Sequence, residues 1–523
     1  MTSGKRYAIA GNVVAFAVAV CLCLGALEVS FRLIDDYRLD RLVLRVKNVP
    51  TGGQFAEAPD ATRYARKIAL DPTFRLAWFH TDPHDYDRSA KYKRPADWAK
   101  AIASYRPSPG EPSFIKNELG YLFNYNLLAT FCASGYGRES LPYFQKNPGF
   151  VYAFAAPDTT FVPEYRLVQG LLGDSSSDYY NNFGFRGPDI TPRKSARLIR
   201  LAFLGSSVTA AGWPFTYPEY VAHYLRLWAR ANKFDVDFDV INAARSGIWT
   251  SQIANIMRYE VAPLHPDIVV WYAGGDDMDA KTIVPNVTPQ STFSYHVKLR
   301  PFEQDSALLS RLYQLFRPLG ASEPPKPAHA LNFDLTRKDP DIRPGQRLPF
   351  YLQQQIADIR KAADATRSAG GEFVLTSYLG MVEDGLRVDP ARHKLLLDYL
   401  NGPLFFPMTY REIREGLDFE NTVYRKLART DSYRFADIDR YFPKDPDLFG
   451  DMYHFASQES FRLMGWIIAQ ELAPYLRKAI ESGSLPKPAY DPDPKSIAWA
   501  SQPPIKFDLT CRSKNAIALP ASP

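Results

Sequence analysis

Ser207, His454 and Asp451 are the residues of this chain whose types, taken together, suit nucleophilic attack on an acyl group. The apolar run Leu201-Ala-Phe-Leu204 breaks off abruptly into Gly205-Ser206-Ser207, so a serine hydroxyl is offered at the end of a buried segment. A neutral hydroxyl is a poor nucleophile and needs a neighbouring base. Far downstream, Asp451-Met-Tyr-His454 offers an imidazole and a carboxylate to orient it. Each residue also has a plainer use: Ser207 as a helix cap, His454 as a surface or structural histidine, Asp451 as a loop residue bonding its own backbone. Two further short runs attract notice, Ile241-Asn-Ala-Ala-Arg-Ser-Gly247 and Gly274-Gly275-Asp276-Asp277. Gly247 also fits a simple strand-to-helix turn. The paired aspartates lack the His or Cys spacing of a metal site, so neither a metal nor another cofactor is expected.

The elements that must position these groups are legible as alternating apolar runs and helical periodicities. Strands are expected at 198–205, 236–243, 267–272, 373–377 and 435–439, and helices at 218–231, 251–261, 349–368 and 458–480. Strands alternating with helices predict a three-layer, flavodoxin-like α/β domain with a parallel sheet covered on both faces. In such sheets ligands collect at the carboxyl ends of the strands. Ser207, Gly247 and the 274–277 run each follow a strand, and Asp451 and His454 lie just before the last helix, so five groups distant in sequence converge on one crevice.

At this point the chain resembles the SGNH/GDSL hydrolase superfamily. Gly205-Ser206-Ser207 looks like the first block, Gly247 like the second-block glycine, Gly274-Gly275-Asp276-Asp277 like the third, and Asp451…His454 like the last. Asn182-Phe-Gly-Phe-Arg-Gly187 is similar to a run in membrane-anchored bacterial members. The resemblance spans roughly residues 180–480. It implies Ser207 as nucleophile, His454 as base, Asp451 as its orienting partner, and an oxyanion hole from the backbone of Ser207 and Gly247 and the side chain at 276. Two positions depart from the pattern. Ser206 stands where the family usually has Asp, and Asp276 stands where an asparagine amide donates to the oxyanion. An ionised carboxylate has no proton to give there, so Asp276 must be protonated or the hole lacks a donor. The resemblance therefore implies an esterase or deacetylase of cell-envelope polysaccharide, with two alternatives: an O-acyltransferase using the same triad, or an impaired glycan-binding scaffold.

The chain has 523 residues, 46% of them hydrophobic and 23% charged, with a formal net charge of +6. That composition fits a globular protein with a sizeable core. Its basic residues are dispersed, and no nucleic-acid footprint is expected. Residues 8–27 carry no charge and have Asn12 as their one strongly polar interruption, a length that crosses a bilayer. Lys5 and Arg6 precede them, which predicts a single-pass signal anchor with the rest of the chain outside the cytoplasm. A cleaved signal peptide is the alternative, disfavoured by the lack of a small-x-small site before Glu28 and of a lipobox at Cys21 or Cys23. The bacterial resemblance then implies the inner membrane with the catalytic domain in the periplasm, and an ester or acetylated glycan as substrate. The expected organisation is an anchor at 1–30, an accessory region at 31–195, the α/β domain at 196–483 with an insertion at 279–345, and a Pro-rich tail at 484–523. Cys132 and Cys511 would share an oxidising compartment, where pairing and two free thiols are both open. Oligomeric state is not legible.

Overall fold

The computed structural model describes residues 3–35, 60–87, 179–211, 213–285, 329–383 and 404–501, with isolated positions at 45–46, 150–153, 171–172, 295–296, 308–309, 312, 393, 396, 399–400 and 505–508. Cys132, Cys511 and most of the expected accessory region and insertion lie outside the described residues.

Five strands build the sheet: β1 (Leu198–Gly205), β2 (Asp237–Asn242), β3 (Ile268–Tyr272), β4 (Glu372–Thr376) and β5 (Arg434–Ala436). All pair in parallel, in the order β5-β4-β3-β1-β2, which read from the other edge is 2-1-3-4-5. Leu201 faces Ile268 on one side of β1 and Val240 on the other. Residues 199–205 and 268–272 are buried throughout, as strands covered on both faces require. The fold is the expected flavodoxin-like three-layer sandwich.

Helix α1 (Ser3–Asp35) precedes the sheet in the chain, and the remaining helices follow the strands. They are α2 (Ser207–Ala210), α3 (Tyr217–Ala231), α4 (Thr250–Ile256), α5 (Leu352–Ser368), α6 (Tyr410–Thr430) and α7 (Gln458–Glu481). Right-handed crossovers fix their faces. The step from β1 to β2 runs one way along the sheet, and every later step runs the other way. Hence α3 lies on one face, while α4, α5 and α6 lie on the opposite one. In agreement, α3 packs on α7, and α5 packs on both α4 and α6.

Several boundaries differ from the sequence reading. Helix α4 ends at Ile256 and continues as a wider turn over Met257–Val261. Helix α5 starts at Leu352 rather than 349, because Phe350 and Tyr351 are left-handed (φ 53° and 55°). Strand β5 stops at Ala436, and Ile438–Tyr441 forms a helical turn. The 21-residue α6 was not expected at all.

Residues 60–87 pack on α3 and α7: Gln470 accepts from Leu70 N–H at 3.0 Å, and Tyr220 donates to Asp82 at 2.7 Å. In the insertion, Ile283, Leu335 and Ile342 are buried with the core, and Asn332 N–H donates to the Ile283 carbonyl. In the tail, Tyr490 exchanges backbone hydrogen bonds with Lys194 and stacks on His265 at 3.5 Å.

Helix α1 has 33 residues, and Val14–Leu27 is exposed. At 1.5 Å per residue it spans about 50 Å, more than a hydrocarbon core of about 30 Å. It is one helix long and apolar enough to cross a membrane.

Candidate active site

The order 2-1-3-4-5 reverses between β1 and β3, and ligands of such sheets bind at that switch point. Ser207 follows β1 and Gly274–Asp277 follow β3, so two of the singled-out runs stand at that point. The first needs its glycine for space. A Cβ on Gly205 would collide with Thr209 Oγ1 and lie 2.6 Å from the Tyr272 carbonyl. β1 therefore meets β3 at close quarters, and the chain turns at once into α2 with Ser207 as its first residue. A backbone N–H there has no acceptor within the helix.

Ser207 Oγ lies 2.6 Å from His454 Nε2, and His454 Nδ1 lies 2.8 Å from Asp451 Oδ2. The other carboxylate oxygen, Oδ1, accepts the backbone N–H groups of Tyr453 and His454 at 2.9 and 2.8 Å. Burial pushes the Asp451 carboxyl up, but attraction to His454 and these hydrogen bonds outweigh it and hold it below the usual carboxylate value. An ionised carboxylate only accepts. Nδ1–H is thus committed to Asp451, and Nε2 is left to accept the Ser207 hydroxyl. The loop is pinned by Gly450 N–H to the His454 carbonyl at 2.7 Å and by the buried Tyr453 ring, which packs edge-on against Tyr378 and Tyr399.

Gly247 lies in an exposed turn with φ 69°, and nothing stands within 4 Å of where a Cβ would be. Its loop runs beside the Ser207 turn, since Arg245 N–H reaches the Gly205 carbonyl at 3.4 Å. The Arg245 guanidinium forms a fully buried ion pair with Glu260, which anchors that loop from below.

The third run requires both glycines. A Cβ on Gly274 (φ 148°) would collide with Glu420 and Tyr424, and one on Gly275 with the Tyr378 ring. Gly275–Asp277 form a short 3₁₀ turn, with Asp277 buried and Thr250 Oγ1 3.5 Å from its Oδ2. The Asp276 side chain lies outside the described residues. The sequence reading missed what supports this turn. Gln355 of α5 donates to the Gly274 carbonyl at 3.3 Å, and the Tyr424 hydroxyl of α6 lies 2.7 Å from Gln355 Oε1 and 3.0 Å from the Ala273 carbonyl, with its proton available to either. Thr409 and Glu412 form a capping box at the start of α6, and that Thr-x-x-Glu spacing was a usable signal.

The Asn181–Gly187 run also gains a place. Asn181 closes its own turn by accepting from Phe183 and Phe185 N–H. Arg186 is buried; its N–H donates to the Asn242 carbonyl at 3.2 Å, and its guanidinium donates to the Trp213 carbonyl. Asn242 in turn donates to the Thr209 carbonyl at 2.8 Å, two residues beyond Ser207. Burial pushes the nearby Glu219 carboxyl up, against the opposing charge of Arg186.

Four sequence blocks, in this order, stand around one end of a 2-1-3-4-5 sheet. The fold is SGNH hydrolase-like. No family model matches the chain, and no curated protein sequence matches it. Solved structures similar to part of it include the acetyl xylan esterase AlAXEase, at 12% identity over 53% of this chain and 100% of that one, with a TM-score of 0.29. A lipase/acylhydrolase from Enterococcus faecalis shares 15% identity over 53% of this chain and 96% of its own, with a TM-score of 0.29. Axe2, an acetylxylan esterase from Geobacillus stearothermophilus, shares 16% over 54% and 93%, also at 0.29. Among the described residues no group of three or more His, Cys, Asp or Glu is placed to hold a metal ion.

Proposed function

We propose that this chain is a membrane-anchored serine esterase of the SGNH type, acting outside the cytoplasm on ester or O-acetyl groups of an envelope polysaccharide. The observation that carries the reading is the continuous relay from Ser207 Oγ through His454 to Asp451, with steps of 2.6 and 2.8 Å. In it, His454 Nε2 takes the Ser207 proton as Oγ attacks the ester carbonyl, and Asp451 stabilises the imidazolium that results. The tetrahedral oxyanion is received by the N–H groups of Ser207 and Gly247, donors fixed before the reaction begins. His454 then protonates the leaving alcohol, and water repeats the sequence on the acyl-enzyme to release the acid. The exposed, membrane-length α1 supports the anchoring.

The direct test is labelling of the full chain with a fluorophosphonate probe, alongside hydrolysis of p-nitrophenyl acetate and acetylated glycans. Labelling is expected on Ser207 and is lost in Ser207→Ala. If wild type is neither labelled nor faster than Ser207→Ala on any substrate, the esterase reading is wrong. Appearance of the acetyl group on a glycan acceptor in place of free acetate would turn the assignment to transfer.

A further inference from the structure

Two large aromatic side chains stand in solvent beside the crevice, where burial would be the default. Trp249 is 54% exposed and Tyr351 is 48% exposed. Trp249 is two residues beyond Gly247, in the loop that runs along the Ser207 turn, and immediately precedes α4. Tyr351 immediately precedes α5. Both helices run from the carboxyl edge of the sheet, and they pack against each other. Thr250, next to Trp249, donates to Asp358 of α5 at 3.0 Å, so the start of α4 lies beside the body of α5 and Tyr351 stands about two turns further along that helix. On the other side, Gln355 bridges the Phe350 carbonyl at 3.2 Å and the Gly274 carbonyl at 3.3 Å, which fixes the Tyr351 turn to the third block. The rings therefore stand on neighbouring helices of one face, at the carboxyl end of the sheet.

The backbone at Tyr351 is unusual for its residue type. Phe350 and Tyr351 are consecutive bulky residues in the left-handed region, which is costly without glycine. The turn buries Phe350 completely, against Gly416, and leaves Tyr351 outside. Held strain of this kind clusters where a ligand is met. Gln353 and Gln354, also exposed, follow Tyr351 in the first turn of α5. Flat rings suit the C–H face of a pyranose, and amides suit its hydroxyls.

We propose that Trp249 and Tyr351 form a sugar-binding platform that seats the glycan portion of an O-acylated polysaccharide beside Ser207. This inference rests on the serine-esterase reading for its chemistry and adds the residues that hold the glycan. The rings stack on sugar units next to the acylated one, and so select for an ester carried on a carbohydrate over a small free ester.

The test uses the full chain in detergent, as wild type, Trp249→Ala, Tyr351→Ala and Tyr351→Gly, with p-nitrophenyl acetate and acetylated xylo- and cello-oligosaccharides as substrates. The ratio of kcat/KM on oligosaccharide to kcat/KM on p-nitrophenyl acetate falls about tenfold or more in each variant, mainly through KM. Tyr351→Gly loses this preference while unfolding at a temperature no lower than wild type, because glycine accepts the left-handed backbone. Equal falls on both substrates, or a preserved ratio, overturn the platform. If wild type cleaves neither substrate, the esterase reading fails, and the platform is judged by titrating Ser207→Ala with the same oligosaccharides. Binding that weakens about tenfold on adding Trp249→Ala supports it. No binding, or binding indifferent to Trp249, overturns it.

Discussion

Acidification acts on the triad through His454, because Asp451 is already ionised below the ordinary carboxylate range. Protonated His454 cannot accept the Ser207 proton, so activity falls as pH falls, by a single ionisation. The plot of log kcat/KM against pH is expected to have an acid limb of slope about 1 down to about pH 4.5, with no second break. A limb steepening towards 2 would mean that Asp451 titrates as well. Asp451→Asn removes the acceptor that commits Nδ1–H, and kcat is expected to fall by about 10³–10⁴-fold. A smaller change would show that the backbone alone orients His454. The departure at position 276 has its own signature. Asparagine restores an uncharged donor where the resemblance expects one, so Asp276→Asn is expected to raise kcat on p-nitrophenyl acetate, by up to about 10²-fold. Unchanged or lower activity in a folded variant would show that Asp276 already donates as an acid or that the hole closes without it.

At the scale of elements, the site depends on how closely β1 approaches β3. Gly205→Ala forces a Cβ against Thr209 and the Tyr272 carbonyl, with no flexible side-chain end to give way on the strand side. An overpacked core position of this kind costs about 1–3 kcal/mol. Because Thr209 belongs to α2, the variant is expected to lose Ser207 labelling as well as thermal stability. A fully labelled Gly205→Ala protein would show that the turn is looser than this packing implies. These contacts also show what could be read from residues alone. The strands and most helices were legible because their burial follows simple periods, and the triad because its types and order fit one chemistry. Phe350 and Tyr351 defeated the reading of α5, since apolar periodicity carries no record of left-handed backbone. Helix α6 was overlooked although its capping box was in view, and with it went Glu420, Asn421 and Tyr424 under the third block. Asn421 holds the segment after β4 by accepting from Tyr378 N–H and donating to its carbonyl. Arg186 could be flagged as part of a motif, but its reach to the Trp213 carbonyl depends on a turn between α2 and α3 that no spacing rule encodes.

At the scale of the molecule, residues 60–87 are part of the face built by α3 and α7, and one titratable group on each of those helices gives stability opposite dependences on pH. His223 of α3 is joined to Thr81 at 2.8 Å, and its pKa is pushed down to about 4, chiefly by burial and then by the Arg226 charge. Its folded value lies below the unfolded 6.5, so unfolding takes up a proton between those values and stability falls on acidification. Glu471 of α7 is pushed up to about 7, chiefly by burial and then by the Asp437 charge. Its folded value lies above the unfolded one, so its contribution is present at low pH and is lost as pH rises through 7. Between pH 7 and 4.5 the two effects oppose each other with similar size. Urea unfolding of wild type should therefore vary little over that range on their account, and the single variants should expose the two slopes. His223→Gln is expected to gain stability relative to wild type as pH falls from 7 to 4.5, and Glu471→Gln to lose it. The comparison uses the change with pH within each variant, so a constant packing loss cancels. Slopes equal to wild type in His223→Gln would show that His223 titrates as in water, and that the 60–87 segment does not bury it in solution.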